Sequence, residues 1–287
     1  MSRQLTSGVL GRKKRLILDQ FPGAYAAYSF RKLSTTYNGD CCIVRRASDN
    51  ATMSIGFIDN KIDINSLLNF SQGAAYVNTW FDQTGMGRNA IQTSNDLQPR
   101  IVNISGNPVL QNNKISLFFD GDGELGISGN VLIAPILINT NNWSIFSAIR
   151  AAPLASDNFG AILNQHLGPP ENNRAIFLNY NLISNKYGFF ANNIGSYSHS
   201  FNVVNELDCV SSIANNDKYY LSVNGNLELL EENVIGYSPL QVNFSIGAYL
   251  NSVRSHAGNV SEVIVYRSGL ENKRQAIESN IINYYSI

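Results

Sequence analysis

Asparagine is the residue that most limits what this chain can fold into. There are 38 of them, and together with 22 glycines they cut the 287 residues into short apolar stretches. Both residue types enter turns and positive φ at low steric cost. A chain punctuated this often has little room for long helices, so short strands joined by tight turns are the expected architecture. Strands are predicted over residues 115–119, 143–149, 174–178, 186–191, 219–223, 242–246 and 260–266, where apolar residues alternate or run together between turns. Spacing of this kind suggests a β-sandwich. The sharpest local feature is Asn224-Gly225 between two alternating runs, the pattern of a two-residue type I′ hairpin.

Two helices are expected besides. Asp63 is placed to cap a short one carrying Ile64, Leu67 and Leu68. Residues 271–285 set Ala276, Ile277, Asn280, Ile281 and Tyr284 three and four apart, so an amphipathic helix should pack back on the sheet. No internal repeat or linker divides the chain. The simplest partition is a basic arm over residues 1–20, followed by one domain over residues 21–287.

Composition narrows the function. Hydrophobic residues make up 44% and charged residues 15%, and 21 Lys and Arg balance 21 Asp and Glu. Disorder and nucleic-acid binding through bulk charge are both disfavoured. The longest apolar run, near residues 131–138, is broken by Pro135 and falls short of the roughly 20 residues of a membrane span. Residues 1–18 have no apolar segment of the kind a secretory signal requires. Cys41, Cys42 and Cys209 are odd in number, and two are adjacent, so buried thiols are expected in place of a disulfide framework. His166, His199 and His256 fit no zinc spacing.

Two stretches carry a family resemblance. The first contains Ala27-Tyr28-Ser29-Phe30-Arg31, Tyr37-Asn38-Gly39, Arg45-Arg46-Ala47-Ser48-Asp49 and Trp80-Phe81-Asp82-Gln83-Thr84-Gly85. It resembles the opening of the arabinofuranosidase B catalytic domain, a concanavalin A-like fold. The second runs from Phe244-Ser245-Ile246-Gly247 through Gly258 to Tyr266, and is similar to the closing strands of laminin G-like jelly rolls. The resemblance implies an all-β, concanavalin A-like jelly-roll sandwich with a short internal helix and a C-terminal helix. Related segments occur in structural proteins of tailed bacteriophages. That likeness implies a virion protein made in the host cytoplasm and displayed on the particle as a homo-oligomer, with other virion proteins and a host surface glycan as partners.

A glycosidase needs two carboxyl groups flanking the scissile bond. By resemblance, the nucleophile position falls on Arg174, before Ala175-Ile176-Phe177-Leu178, and the acid/base position on Tyr249, after Ile246-Gly247-Ala248. Neither is a carboxylate, so the chain is expected not to be an enzyme and to act as a carbohydrate-binding adhesion or decoration module. Hydrolysis by a displaced pair, drawn from Asp120, Asp122, Glu124, Glu171, Asp208 and Glu262, is the alternative; a purely architectural virion role is another. Candidate sugar-binding residues are Tyr180, Tyr187, Tyr197, Tyr237 and Tyr249, which sit among Asn, Gly and Ser, together with Arg174. Asp120, Asp122 and Glu124 on a Gly-rich turn suit calcium, a hard cation that prefers oxygen. No other cofactor is expected. Arg12, Lys13, Lys14 and Arg15 form a basic cluster for docking on an acidic partner. Trp80-Phe81-Asp82-Gln83 is read as structural, with Asp82 tying the turn that follows it.

Overall fold

The computed structural model describes residues 15–121, 129–138, 141–152, 159–165, 175–181, 186–191, 195–203, 205–232, 242–250 and 255–287. Its strands form a hydrogen-bonded network of 18 that folds into two layers. One layer centres on Ala257–Tyr266, which runs antiparallel to Trp143–Ala151 on one side. On its other side it meets Ala26–Ser29 and Leu117–Asp120. Beyond Trp143–Ala151 follow Asp208–Asn215, Lys218–Val223 and Asn226–Glu231. The second layer runs from Thr52–Ile55 through Cys42–Arg46, Ala75–Trp80, Ala90–Ile91 and Leu132–Ala134 to Phe244–Ile246. It continues through Phe159–Gln165, Ala175–Asn181 and Lys186–Ala191 to Gly195–Asn202. Arg100–Val102 pairs with strands of both layers and joins them. This is the expected all-β sandwich.

Strand alternation divides the apolar residues between two cores. In the central strand, Val263 and Val265 face the space between the layers, with Tyr28, Trp80, Phe119 and Trp143. Ile264 and Tyr266 face outward and are covered by helix α3, Glu271–Tyr285. The buried face of α3 is Ile277, Glu278, Ile281 and Tyr285. A carboxylate on that face is tolerated because Ser211 and Arg274 both bond to it. Burial still pushes the Glu278 carboxyl above its usual range, against those hydrogen bonds and the Arg274 charge. The short helix α1, Ile17–Gln20, buries Ile17 and Leu18 in the same outer core. The expected arm therefore ends earlier than residue 20, because two apolar side chains in its last turn are needed to cover the sheet. Helix α2, Ile64–Ser71, starts where expected: the Asp63 side chain accepts from the Ser66 N–H at 3.0 Å.

The motifs of the first half are structural. Asp82 accepts from the N–H groups of Ala27 and Thr84 at 3.0 Å and from Arg88 N–H at 3.2 Å. Gln83 bridges Leu33 N–H and the carbonyls of Ser29 and Arg31. Arg46 pairs with Asp49 at 2.7 Å, whereas Arg45 turns instead to Gln98, Asn50 and the Asn95 carbonyl. Beneath α3, Arg31 forms a two-pronged pair with Glu262, both bonds 2.7 Å long. Cys41, Cys42 and Cys209 are buried free thiols.

The asparagine content has a direct structural counterpart. Among the described residues, Asn50, Asn60, Asn112, Asn113, Asn205, Asn216 and Asn224 all have positive φ. Asn224 (50°) and Gly225 (87°) form the two-residue turn between Val223 and Asn226, as a type I′ hairpin requires.

Candidate carbohydrate site

A cleft of about 520 Å³ opens at one end of the sandwich. Four pieces of chain meet there: the start of strand Asp208–Asn215 with the preceding residues Asn205 to Leu207, the Asn224 turn, the Gln111–Asn112 turn and the C-terminal Ser286–Ile287. Phe201 supplies an aromatic edge. Asn112 Nδ2 donates to the Ser286 carbonyl at 3.2 Å, and Gln111 Nε2 to Asn259 Oδ1 at 3.0 Å. Arg150 also donates to Asn259 and to the Asn205 carbonyl. The rim is therefore cross-braced by amides whose remaining donors and acceptors suit sugar hydroxyls.

Asp208 forms the base. It is 2% exposed, and receives hydrogen bonds from Tyr187 Oη at 2.9 Å and Asn224 Nδ2 at 2.8 Å. Burial raises its pKa above the ordinary carboxylate value. The two hydrogen bonds oppose that rise, and the nearby charge of Glu206 adds to it. Glu206, two residues earlier, lines the same cleft and is exposed. One carboxyl is thus buried, and a second, exposed one lines the same cleft.

The expected site residues fall differently. Tyr187 is not on a loop: it lies in strand Lys186–Ala191, fully buried, with its hydroxyl turned to Asp208. Tyr249 is 1% exposed and packs in the interior. Neither presents a ring face for a sugar. Tyr180 and Tyr197 occupy strands, Ala175–Asn181 and Gly195–Asn202. Tyr237, Arg174, Glu171, Asp122, Glu124, Arg12, Lys13 and Lys14 lie outside the described residues. Asp120 ends a strand, exposed, and Arg15 lines a separate pocket beside α3. Glu262 is committed to Arg31 inside the outer core. Among the described acids singled out in the sequence, Asp208 alone lines the cleft.

A second buried polar cluster sits where Phe159–Gln165 meets Phe244–Ile246. Asn164 donates to the Ala248 carbonyl at 2.9 Å, and Ser245 Oγ donates to the same carbonyl at 2.7 Å. His256, 1% exposed, is held neutral, its pKa lowered to about 4 chiefly by burial.

No protein-family model and no curated protein matches the sequence. Solved structures do match the fold. A mutant GH54 a-l-arabinofuranosidase soaked with 4-nitrophenyl a-l-arabinofuranoside superposes with a TM-score of 0.68 at 13% identity, covering 93% of this chain and 64% of that one. An arabinofuranosidase complexed with arabinofuranosyl-alpha-1,2-xylobiose gives 0.62 at 13% identity with the same coverage. A Trypanosoma rangeli sialidase in complex with sialic acid gives 0.51 at 10% identity, over 84% of this chain and 44% of that one. The chain spans about 64% of the length of the arabinofuranosidase structures it matches. At these identities the likeness is one of fold.

The matches correct one expectation. A chain without catalysis was inferred from Arg174 and Tyr249, an expectation that the comparisons do not uphold, since the structures sharing this fold are an arabinofuranosidase and a sialidase. The inference failed because it followed two positions by resemblance alone, one of which lies outside the described residues. Sequence reasoning noted Asp208 as an acid but missed Glu206, Phe201 and the amides around it. Several strands and turns bring them together, and of these the sequence showed only the Asn224-Gly225 hairpin.

Proposed function

We propose that the chain is a glycoside hydrolase domain of arabinofuranosidase-like fold that cleaves its substrate in the Asp208 cleft. The observation that carries this reading is a cleft lined by a buried carboxyl, Asp208, and a solvent-facing one, Glu206, in a fold like that of an arabinofuranosidase. Asp208 would protonate the departing glycosidic oxygen, and Glu206 would supply the carboxylate. Amides of Gln111, Asn112 and Asn224 would take the hydroxyls, with Phe201 against a ring face. Tyr187 and Asn224 hold Asp208 in place. Host surface glycan as substrate and display on a phage particle in a homo-oligomer are compatible with this reading and rest on the sequence resemblance. A docking arm rests on the Arg12 to Arg15 basic cluster, and calcium on the acids Asp120, Asp122 and Glu124.

The test is release of nitrophenol from 4-nitrophenyl α-L-arabinofuranoside and a panel of other aryl glycosides. Turnover that Glu206→Gln lowers at least a hundredfold, with the fold intact, would support the assignment. Turnover indifferent to both Glu206→Gln and Asp208→Asn would reject it.

A further inference from the structure

A second pocket, about 360 Å³, lies between α1, the Asp59–Lys61 turn and the C-terminal half of α3. Its charge is unbalanced. Arg15, Lys32 and Lys61 line it with Asp59 as the one acid, and among the described residues none of these four enters an ion pair. Arg31 also lines it, but its charge is answered by Glu262. A smaller hollow of about 130 Å³ shares Lys61 and Tyr284 with it and adds Lys114. The Tyr284 ring is flanked by the Arg31 guanidinium at 4.4 Å and the Lys114 ammonium at 5.2 Å. Asn280 accepts from Arg31 Nη1 at 2.8 Å through its carbonyl oxygen, leaving its amide N–H groups without a partner among the described residues. Asn283 lines the same wall.

Like charges gathered around a cavity raise one another's energy, and a bound anion relieves it. The chain's own N-terminal residues do not meet that need: residues 1–14 contain Arg3, Arg12, Lys13 and Lys14 and no Asp or Glu. We propose that this pocket binds the oxyanion of an acidic saccharide, a uronate or a sugar phosphate. Arg15, Lys32 and Lys61 would hold the oxyanion, and Asn280, Asn283 and the Tyr284 hydroxyl the neighbouring ring hydroxyls. The choice of a saccharide rests on the glycosidase reading; the choice of an anion rests on the charges alone. The pocket lies apart from the Asp208 cleft, so it selects acidic glycans and takes no part in bond cleavage.

The experiment is calorimetric titration of the full chain with glucuronate, glucose 6-phosphate, glucose and inorganic phosphate, at low and at 0.5 M NaCl, for the native chain and Lys32→Gln/Lys61→Gln. Lys61 is exposed and Lys32 half-buried, and an unchanged melting temperature checks the fold. The expected result is binding of glucuronate or glucose 6-phosphate that high salt weakens and the double variant lowers at least tenfold. Equal binding of glucose would overturn the anion claim. Inorganic phosphate binding as tightly as glucose 6-phosphate would overturn the saccharide claim, and no binding by any of the four would overturn both. Because binding is read without turnover, a failure here leaves the Asp208 assignment standing, and a chain that binds but does not hydrolyse leaves this site standing.

Discussion

His256 makes the stability of the fold depend on pH in a way that can be calculated. Its imidazole is 1% exposed, its Nε2 has no hydrogen-bond partner among the described residues, and its ring lies 6.0 Å from that of Phe119. Burial first, and then the Arg150 charge, hold its pKa down at about 4 against an ordinary 6.5. In the unfolded chain the ring takes a proton as pH falls through 6.5, while in the folded chain it does not until about 4. Stability is therefore complete above pH 6.5 and is lost between there and pH 4. At about 1.4 kcal/mol per pH unit the full loss is about 3 kcal/mol, of which about 2 kcal/mol is gone by pH 5. Glu278 and Asp208, whose pKa values are raised by burial, act in the opposite direction, so the native chain alone would blur the effect. Comparison with His256→Gln removes them. Urea unfolding followed by the fluorescence of Trp80 and Trp143 at pH 8 and pH 5 should show the native chain losing about 2 kcal/mol more than the variant. Equal losses would refute the argument that the imidazole is kept neutral by burial.

Two further perturbations probe the frame of the fold. Glu262→Gln leaves the Arg31 guanidinium buried without its counter-charge, and should cost about 3 kcal/mol by urea unfolding; a cost below 1 kcal/mol would mean that water reaches the pair. Gly225→Ala meets no atom within 4 Å but keeps a φ of 87°, so it should cost about 1 kcal/mol from backbone strain alone, and an unchanged melting temperature would show that the turn shifts type.

The sandwich was readable because strand and turn formation are local. The strand at 260–266 was legible, and Asn224-Gly225 set a register by its turn type; that Val263 and Val265 enter one core and Ile264 and Tyr266 the other emerged only from the fold. Spacing of three and four over residues 271–285 located α3, but not the buried Glu278 on its face, since that carboxylate is held by Ser211 on a distant strand. Tyr187 and Tyr249 misled because polar neighbours in sequence say little about a side chain's surroundings in a sheet, where adjacent residues point to opposite faces. The Asp208 cleft escaped for a related reason. Phe201, Asp208 and Asn224 come from two strands and a hairpin turn, the Gln111–Asn112 turn and the C-terminal residues join them from far along the chain, and the burial of Asp208 is a property of the assembled fold.

Hydrolysis is the central claim, and its most direct measurement is aryl glycoside turnover by the native chain, Asp208→Asn and Glu206→Gln, each with its melting temperature. The account predicts measurable release by the native chain and a loss of at least a hundredfold in both variants while Glu206→Gln melts like the native chain. Release that survives both substitutions would place the chemistry elsewhere in the molecule, and a native chain inert across the whole panel would contradict the enzymatic reading itself.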